Sequence, residues 1–191
     1  MKVIGFTGNY GTEDKTPRCY LMADSSILYS GRPFFLPDFA QHYVATPTII
    51  VRMGRLGKCI APKFAHRYWD AFTAGFTVHA QHSDDDRLAA LDRVFDGAAI
   101  VGDWVMASDV DDAQGTVVDV RLDDMAQARY AIADMKSSLD DLLAAVSTRC
   151  SIKMGDLVFT GDTGEGSILK PGNRLTGFIG DRQVLDVKVR L

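Results

Sequence analysis

The chain has 191 residues, of which 47% are hydrophobic and 24% charged, as expected for one globular domain with a full hydrophobic core. Its 21 basic and 25 acidic side chains give a net charge of −4 without any basic run, which argues against nucleic-acid binding. No apolar run is long enough to span a membrane, and the N-terminus lacks the apolar region of a signal peptide. Three widely spaced cysteines without a C-x-x-C pair argue against a disulfide framework, so we expect a cytoplasmic protein.

The N-terminal half consists of short apolar segments separated by glycine, proline and polar residues, a pattern that predicts β-strands. Strands are expected over 2–6, 19–22, 27–29, 48–53 and 73–78. The segment 62–72 has helical spacing instead, with Phe64, Tyr68 and Phe72 on one face and a proline in the first turn. A second short helix is expected over 84–94, because its acidic start favours the helix dipole.

The C-terminal half adds strands near 104–106 and 116–122 and a final strand over 184–191. Its clearest helix is 137–149, which Ser137 or Ser138 can cap. The apolar residues of that helix follow i, i+3, i+4, i+7 spacing: Leu139, Leu142, Leu143 and Val146. Many short strands with few helices, and no visible linker, predict a single α+β domain over residues 1–191.

The segment 155–166 is an apolar strand that ends in a glycine-rich loop. Glycine has no side chain to block a ligand, so this loop can present backbone amides at a binding surface. The loop lacks the G-K-[ST] ending of a nucleotide P-loop, and both Asp162 and Glu165 are anionic. A nucleotide phosphate site is therefore not expected there.

Several motifs that follow one another along the chain resemble those of a known family. They are Gly8-Asn9-Tyr10, Arg55-Leu56-Gly57-Lys58, Gly75-Phe76-Thr77-Val78, Phe95-Asp96-Gly97 followed by Val101-Gly102-Asp103-Trp104, and Gly155-Asp156-Leu157-Val158-Phe159-Thr160-Gly161. In type and order they are similar to the motifs of the fumarylacetoacetate hydrolase family, in particular its compact, single-domain, acylpyruvate-hydrolase-like members. The resemblance covers nearly the full length.

This resemblance implies a fold, a chemistry and an assembly. The fold would be a mixed β-roll with a few peripheral helices, commonly assembled as a homodimer. Members of the family act on 2-oxo or 2,4-dioxo acids by C–C bond hydrolysis, decarboxylation or tautomerisation. They use Mg²⁺ or Mn²⁺, hard cations for which carboxylates are suitable ligands.

The residues at the family's metal positions differ from the family pattern. Counted back from Arg55, the two glutamates of the family's E-x-E pair fall on Thr46 and Thr48, and the family's aspartate falls on Ala80. A neutral hydroxyl cannot replace an anionic carboxylate without a large loss of cation affinity. We therefore expect no metal cofactor, with Mg²⁺ or Mn²⁺ as the alternative if the family site is retained. A separate metal site at His79-x-x-His82 is a weaker possibility.

The resemblance also indicates candidates for catalysis and for substrate binding. The family's histidine falls on Glu13 and its lysine on Arg93, which stays protonated and cannot act as a tunable base. The candidate substrate-binding residues are Asn9, Tyr10, Asp96, Thr160, Gly161 and Asp162. An anionic Asp162 would repel a substrate carboxylate unless a cation or an arginine lay between them.

Two functions remain open from the sequence. The first is a homologue that keeps the fold but has lost the metal-dependent chemistry, and that binds a small carboxylic-acid metabolite or has a structural role. The second is an active hydrolase, isomerase or decarboxylase of 2-oxo or 2,4-dioxo acids. In both cases we expect no nucleic-acid or membrane partner.

Overall fold

A computed structural model describes residues 1–11 and 16–191 of the chain, which form two β-sheets and a small number of helices. The strands are β1 (Val3–Thr7), β2 (Arg18–Met22), β3 (Ile27–Tyr29), β4 (Phe34–Phe35), β5 (Ala40–Met53), β6 (Trp69–Ser83), β7 (Ala99–Val101), β8 (Val105–Met106), β9 (Val118–Leu122), β10 (Met125–Tyr130), β11 (Leu157–Asp162), β12 (Ser167–Ile168), β13 (Arg174–Ile179) and β14 (Arg182–Arg190). The helices are α1 (Pro62–Ala65) and α2 (Leu139–Arg149), with short 3₁₀ turns at Asp24–Ser26, Asp86–Leu91, Ala107–Asp109 and Ile132–Asp134.

The larger sheet has nine strands and is mixed. Seven follow the order β2-β1-β11-β5-β6-β7-β3, while β12 pairs with β5 and β8 pairs with β6. The long antiparallel pair β5–β6 forms its centre, whereas β1 runs parallel to β11 and β3 runs parallel to β7. The second sheet has the order β10-β9-β13-β14-β4.

Side chains alternate between the two faces of the β5–β6 pair, because successive residues of a strand point in opposite directions. One face packs in the main core and includes Tyr43, Ala45, Ile49, Phe76 and Ala80. The other face carries Ile50, which packs with Val3, Leu157 and Phe159 in a smaller cluster. Both faces are buried over the middle of the pair, so these strands have near-continuous apolar sequences.

The predicted fold class is confirmed: this is an α+β domain dominated by mixed β-structure, in which the large sheet curls into a half-barrel. The predicted helix over 137–149 is also confirmed. Its first turn is capped by the Ser138 hydroxyl, which accepts a hydrogen bond from the Asp141 amide at 3.1 Å. No helix within the described residues is long and apolar enough to cross a membrane.

The helix predicted over 62–72 is wrong beyond its first turn. Helix α1 ends at Ala65, and the aromatic residues Trp69 and Phe72 belong to β6. Phe72 pairs with Val51 of β5 and is fully buried there. The hydrogen bonds and burial of a central strand outweigh the local helical spacing.

The helix predicted over 84–94 is only the 3₁₀ turn Asp86–Leu91. The two leucines of this turn, Leu88 and Leu91, are both 52% exposed. Without an apolar face to bury, this segment gains nothing from tertiary packing that would extend it into an α-helix.

Candidate functional site

An open cleft of about 1030 Å³ lies where the N-terminal strand, the end of β11 and the loop after it meet. Its lining combines basic, acidic, hydroxyl and aromatic side chains. The lining residues are Thr7, Gly8, Tyr10, Gly11, Thr16, Arg18, Arg93, Tyr130, Lys136, Asp162, Thr163, Gly164 and Glu165. Of the predicted site residues, Tyr10, Arg93 and Asp162 line it directly.

Asn9 holds the wall of the cleft together. Its side-chain amide donates to the Thr160 carbonyl at 3.0 Å and to the Ser137 carbonyl at 3.2 Å, while its carbonyl oxygen accepts from the Ser137 amide. The side chain is completely buried, and all of these partners belong to the backbone. Asn9 therefore positions β11 and the start of the α2 segment, and does not itself line the cleft.

Tyr10 and Thr160 form a short hydrogen-bond chain beside the cleft. The Thr160 hydroxyl donates to the Ile49 carbonyl at 2.9 Å, so the Tyr10 hydroxyl, 3.0 Å from the Thr160 oxygen, is the donor in that pair. Burial raises the pKa of Tyr10 well above its usual range. The phenol therefore stays neutral at physiological pH and orients Thr160 beneath the cleft.

Gly161 allows this close packing. Its φ is +142°, and a Cβ built there would lie 2.7 Å from the Asn9 Cβ. Any other residue would have to move Asn9, whose hydrogen bonds fix the wall. The glycine expected from the sequence to admit a ligand is therefore needed first for packing against Asn9.

Thr46 and Thr48 lie on the face of β5 opposite the main core. Thr46 is paired with Thr77 of β6, and Thr48 is paired with Asp162 of β11. A Cβ at Gly166 would come within 2.9 Å of the Thr46 hydroxyl oxygen, so the loop after β11 covers this side chain. Thr48 is only 1% exposed, and neither threonine lines the open cleft.

Ala80 does not join the two threonines. It is paired with Tyr43, three residues from the Thr46–Thr77 pair, and its side chain is buried in the main core. An odd offset along a strand places a side chain on the opposite face. The three positions counted as the family's metal ligands are therefore divided between the two sides of the sheet.

The donor groups around the two threonines do not fit a divalent cation. Within residues 1–11 and 16–191, no group of three His, Cys, Asp or Glu side chains could hold a metal ion. The pair His79 and His82 belongs to no such group either, and the His82 ring packs against His42, with 6.4 Å between the ring centroids. Burial and then the positive charge of Arg93 lower the pKa of His79.

Arg93 extends over Tyr20, a residue that the sequence did not single out. The guanidinium carbon lies 5.7 Å from the centroid of the ring, within the range of a cation–π contact. The Tyr20 ring itself lies on Gly5, where a Cβ would be only 2.2 Å from the ring. Only a glycine at this position of β1 allows the tyrosine to cover the sheet.

The Tyr20 hydroxyl connects Arg93 to the threonine face. It lies beside Thr77 but makes no hydrogen bond of ordinary geometry within the described chain. Burial, and then the nearby negative charge of Asp162, raise the pKa of Tyr20 well above its usual range. A neutral phenol and a guanidinium therefore lie near Thr77, which is paired with Thr46.

Three cations and two carboxylates line the described part of the cleft: Arg18, Arg93 and Lys136 against Asp162 and Glu165. Arg18 and Arg93 take part in no ion pair with any residue that the structure describes. Positive charge that is not neutralised within a half-enclosed cleft attracts small anions. Arg18 and Lys136 were missed from the sequence because they are distant along the chain and belong to no motif.

One predicted site residue lies away from this arrangement, and another cannot be placed in it. Asp96 is exposed in the turn before β7 and does not line the cleft. Glu13 lies outside the described residues, between Gly11 and Thr16, which both line the cleft. An unpredicted hydroxyl joins the site instead: Thr163 is 2% exposed, lines the cleft and has no hydrogen-bond partner for its side chain within the described chain.

Three solved structures are similar to this chain in fold. Fumarylpyruvate hydrolase from Pseudomonas aeruginosa, in complex with Mn²⁺ and pyruvate, is 19% identical with a TM-score of 0.87, over 100% of this chain and 90% of that chain. Maleylpyruvate hydrolase from Sphingobium sp. SYK-6 is 16% identical with a TM-score of 0.86, over 99% of this chain and 70% of that chain. The 2-hydroxyhepta-2,4-diene-1,7-dioate isomerase from Mycobacterium marinum is 20% identical with a TM-score of 0.84, over 99% of this chain and 74% of that chain.

Comparison of the sequence with known protein families identifies the family of this chain. No protein with a curated function matches the chain. The profile of the fumarylacetoacetate (FAA) hydrolase C-terminal family, however, matches residues 7–190, which include every described lining residue of the cleft and all strands after β1. Together with the predicted motifs and the fold, this match means that the chain belongs to the fumarylacetoacetate hydrolase family.

Proposed function

We propose that this protein binds a small carboxylic acid in the cleft by guanidinium charge, and that the metal-dependent chemistry of its family has been lost. The observation that carries the proposal is an arginine on the side of the sheet where the family's metal-binding carboxylates are expected. By our count from the motifs, the family's glutamate positions fall on Thr46 and Thr48. Arg93 brings a cation to the same side of the sheet through its contact with Tyr20.

The chemistry of this arrangement favours direct recognition of an anion. A Mg²⁺ or Mn²⁺ ion needs several oxygen ligands, and carboxylates supply most of its affinity. Two threonine hydroxyls cannot balance the charge of such an ion. An arginine, in contrast, binds a carboxylate with two parallel hydrogen bonds and needs no metal.

Asp162 sets a limit on the ligand. Its carboxylate lines the cleft together with Arg93 and Arg18, so a ligand carboxylate has to lie toward the arginines and away from Asp162. The hydroxyl or oxo group of the same ligand can face the Thr163 hydroxyl. A short 2-oxo or 2-hydroxy acid has this combination of groups.

An active hydrolase, isomerase or decarboxylase of 2-oxo or 2,4-dioxo acids is the second candidate. The structural neighbours favour it, because they include hydrolases of fumarylpyruvate and maleylpyruvate and an isomerase of a dioate. At 16–20% identity this similarity supports the fold alone, and activity has to be tested on the chain itself.

Calorimetry distinguishes the two candidates. Pyruvate and oxalate are titrated into the protein in the presence of EDTA, Mg²⁺ and Mn²⁺ are titrated separately, and acylpyruvate cleavage and oxaloacetate decarboxylation are assayed. We expect acid binding that EDTA does not change, no tight binding of either ion, and no turnover. Tight binding of Mn²⁺ with turnover would show that the family chemistry is retained.

A matched pair of arginine variants tests the role of Arg93. We expect Arg93→Gln to weaken oxalate binding by about tenfold or more, the range for a charge-assisted hydrogen bond. Arg87→Gln is the control, since Arg87 lies in the same segment but is fully exposed and paired with Asp85 at 2.6 Å. Equal affinities of the two variants would show that Arg93 does not hold the acid.

A further inference from the structure

A second cleft, of about 970 Å³, lies on the smaller sheet and shares no lining residue with the first. Four of its lining side chains are basic and one is acidic, although the chain as a whole has a net charge of −4. The cleft is lined by Gly31, Arg32, Pro33, Phe35, Gly172, Arg174, Asp186, Lys188, Arg190 and Leu191. Nothing in the proposed function uses this charge.

Strand register brings the basic side chains together. Lys188 and Arg190 are alternate residues of β14, so they lie on one face of the sheet. Arg174 of β13 is paired directly opposite Lys188, and Phe35 of β4 is paired opposite Arg190. Directly opposed residues have their Cβ atoms about 4.5–5.5 Å apart, so these three cations are near neighbours.

The positive charge of this face is only partly neutralised. Asp186, its single acidic side chain, is bound to Arg174 at 2.6 Å. Arg32, Lys188 and Arg190 take part in no ion pair with any residue of 1–11 or 16–191. Lys188 and Arg190 are therefore two unpaired positive charges side by side on one face, and an anion bound between them would relieve their repulsion.

We propose that this face is a binding site for a compact anion with at least two negative charges, of the diphosphate type. Three unpaired cations around one concavity match several oxyanion charges, and arginine guanidinium groups bind phosphate oxygens in pairs. Phe35, 60% exposed, and Pro33 give the cleft an apolar wall beside the charges. All of these charges line the same cleft between segment 31–35 and β14.

Pyrophosphate is the probe for this site, measured by calorimetry against the intact chain at two salt concentrations. We expect binding that weakens as the salt concentration rises, because salt screens the attraction between the anion and the basic side chains. Lys188→Gln should raise the dissociation constant about tenfold. In the ligand-free protein the same change should raise the melting temperature by about 1–2 °C, because it removes a like-charge pair.

Arg182→Gln is the matched control, because Arg182 is an exposed cation of the same strand that does not line the cleft. The control should bind pyrophosphate as the unaltered chain does. If pyrophosphate binding were weakened equally in both variants, the effect would come from net charge alone, and the proposed site would be wrong. A loss of self-association in Lys188→Gln seen by sedimentation would also overturn the site, since the face would then be a contact for the acidic surface of a second copy.

Discussion

At the residue scale, single side chains decide what this cleft can do. The sequence predicts that Thr46 and Thr48 stand at the family's glutamate positions, but it does not indicate which charged groups lie near them. Tyr20, whose ring contacts Arg93, belongs to no motif. Its position depends on Gly5, which is paired with it in the neighbouring strand and leaves room for the ring. The motifs thus predict uncharged side chains at these positions, and the structure shows that Arg93 and Tyr20 lie on the same side of the sheet.

Gly161 offers a test of the packing that forms the wall of the cleft. We expect Gly161→Ala to lower the free energy of unfolding by about 2–4 kcal/mol, since it combines a strained φ with a clash against Asn9. Gly172→Ala is the control, because Gly172 also has a positive φ of +95° but nothing within 4 Å of its Cβ position, and should lose only about 1 kcal/mol. Urea unfolding measures both, and equal losses would contradict the clash.

At the scale of elements, the start of β11 is tied to β1 by a buried carboxylate. Asp156 is 1% exposed, accepts hydrogen bonds from the Lys2 and Lys153 amides at 2.8 Å, and pairs with the Lys2 ammonium at 2.6 Å. Burial alone would raise the pKa of Asp156, but the bonds from Lys2 and Lys153 outweigh it, and the pKa lies below its ordinary value. The parallel pairing of β1 and β11 begins next to this residue.

This lowered pKa predicts a pH dependence of stability. A carboxyl whose pKa is lower in the folded state stabilises the protein above its unfolded pKa of about 4, and that stabilisation is lost as the pH falls through the folded value. The difference in unfolding free energy between the unaltered chain and Asp156→Asn should therefore be large at pH 7 and shrink below pH 4. Asp181→Asn, at an exposed turn, is the control, and a difference independent of pH would contradict this role.

The elements also show where local pattern is a sufficient guide. Helix α2 is amphipathic, capped and peripheral, so its local sequence and its packing favour the same structure. Segment 62–72 has helical spacing but becomes the start of β6, because its aromatic residues find a larger burial beside β5. Local spacing cannot report a partner strand that lies elsewhere in the chain.

At the scale of the whole molecule, assembly remains a prediction. Strand β2 ends the nine-stranded sheet and has Leu21 63% exposed on it, and an unpaired edge with apolar side chains favours a contact with another chain. We expect sedimentation to give the mass of a homodimer, which Leu21→Glu should weaken. Leu91→Glu, at an exposed leucine of the 3₁₀ turn, should not, and a monomer at every concentration would contradict the prediction.

The sequence by itself determined the family, the α+β class, helix α2 and the absence of carboxylates at Thr46 and Thr48, because ordered motifs and local periodicity are properties of neighbouring residues. The tertiary structure decided which side chains share a site. It placed Ala80 on the other face of the sheet, because strand parity depends on register with β5. It also brought Arg18, Arg93 and Lys136 into one cleft, because the pairing of strands distant along the chain sets which charges become neighbours.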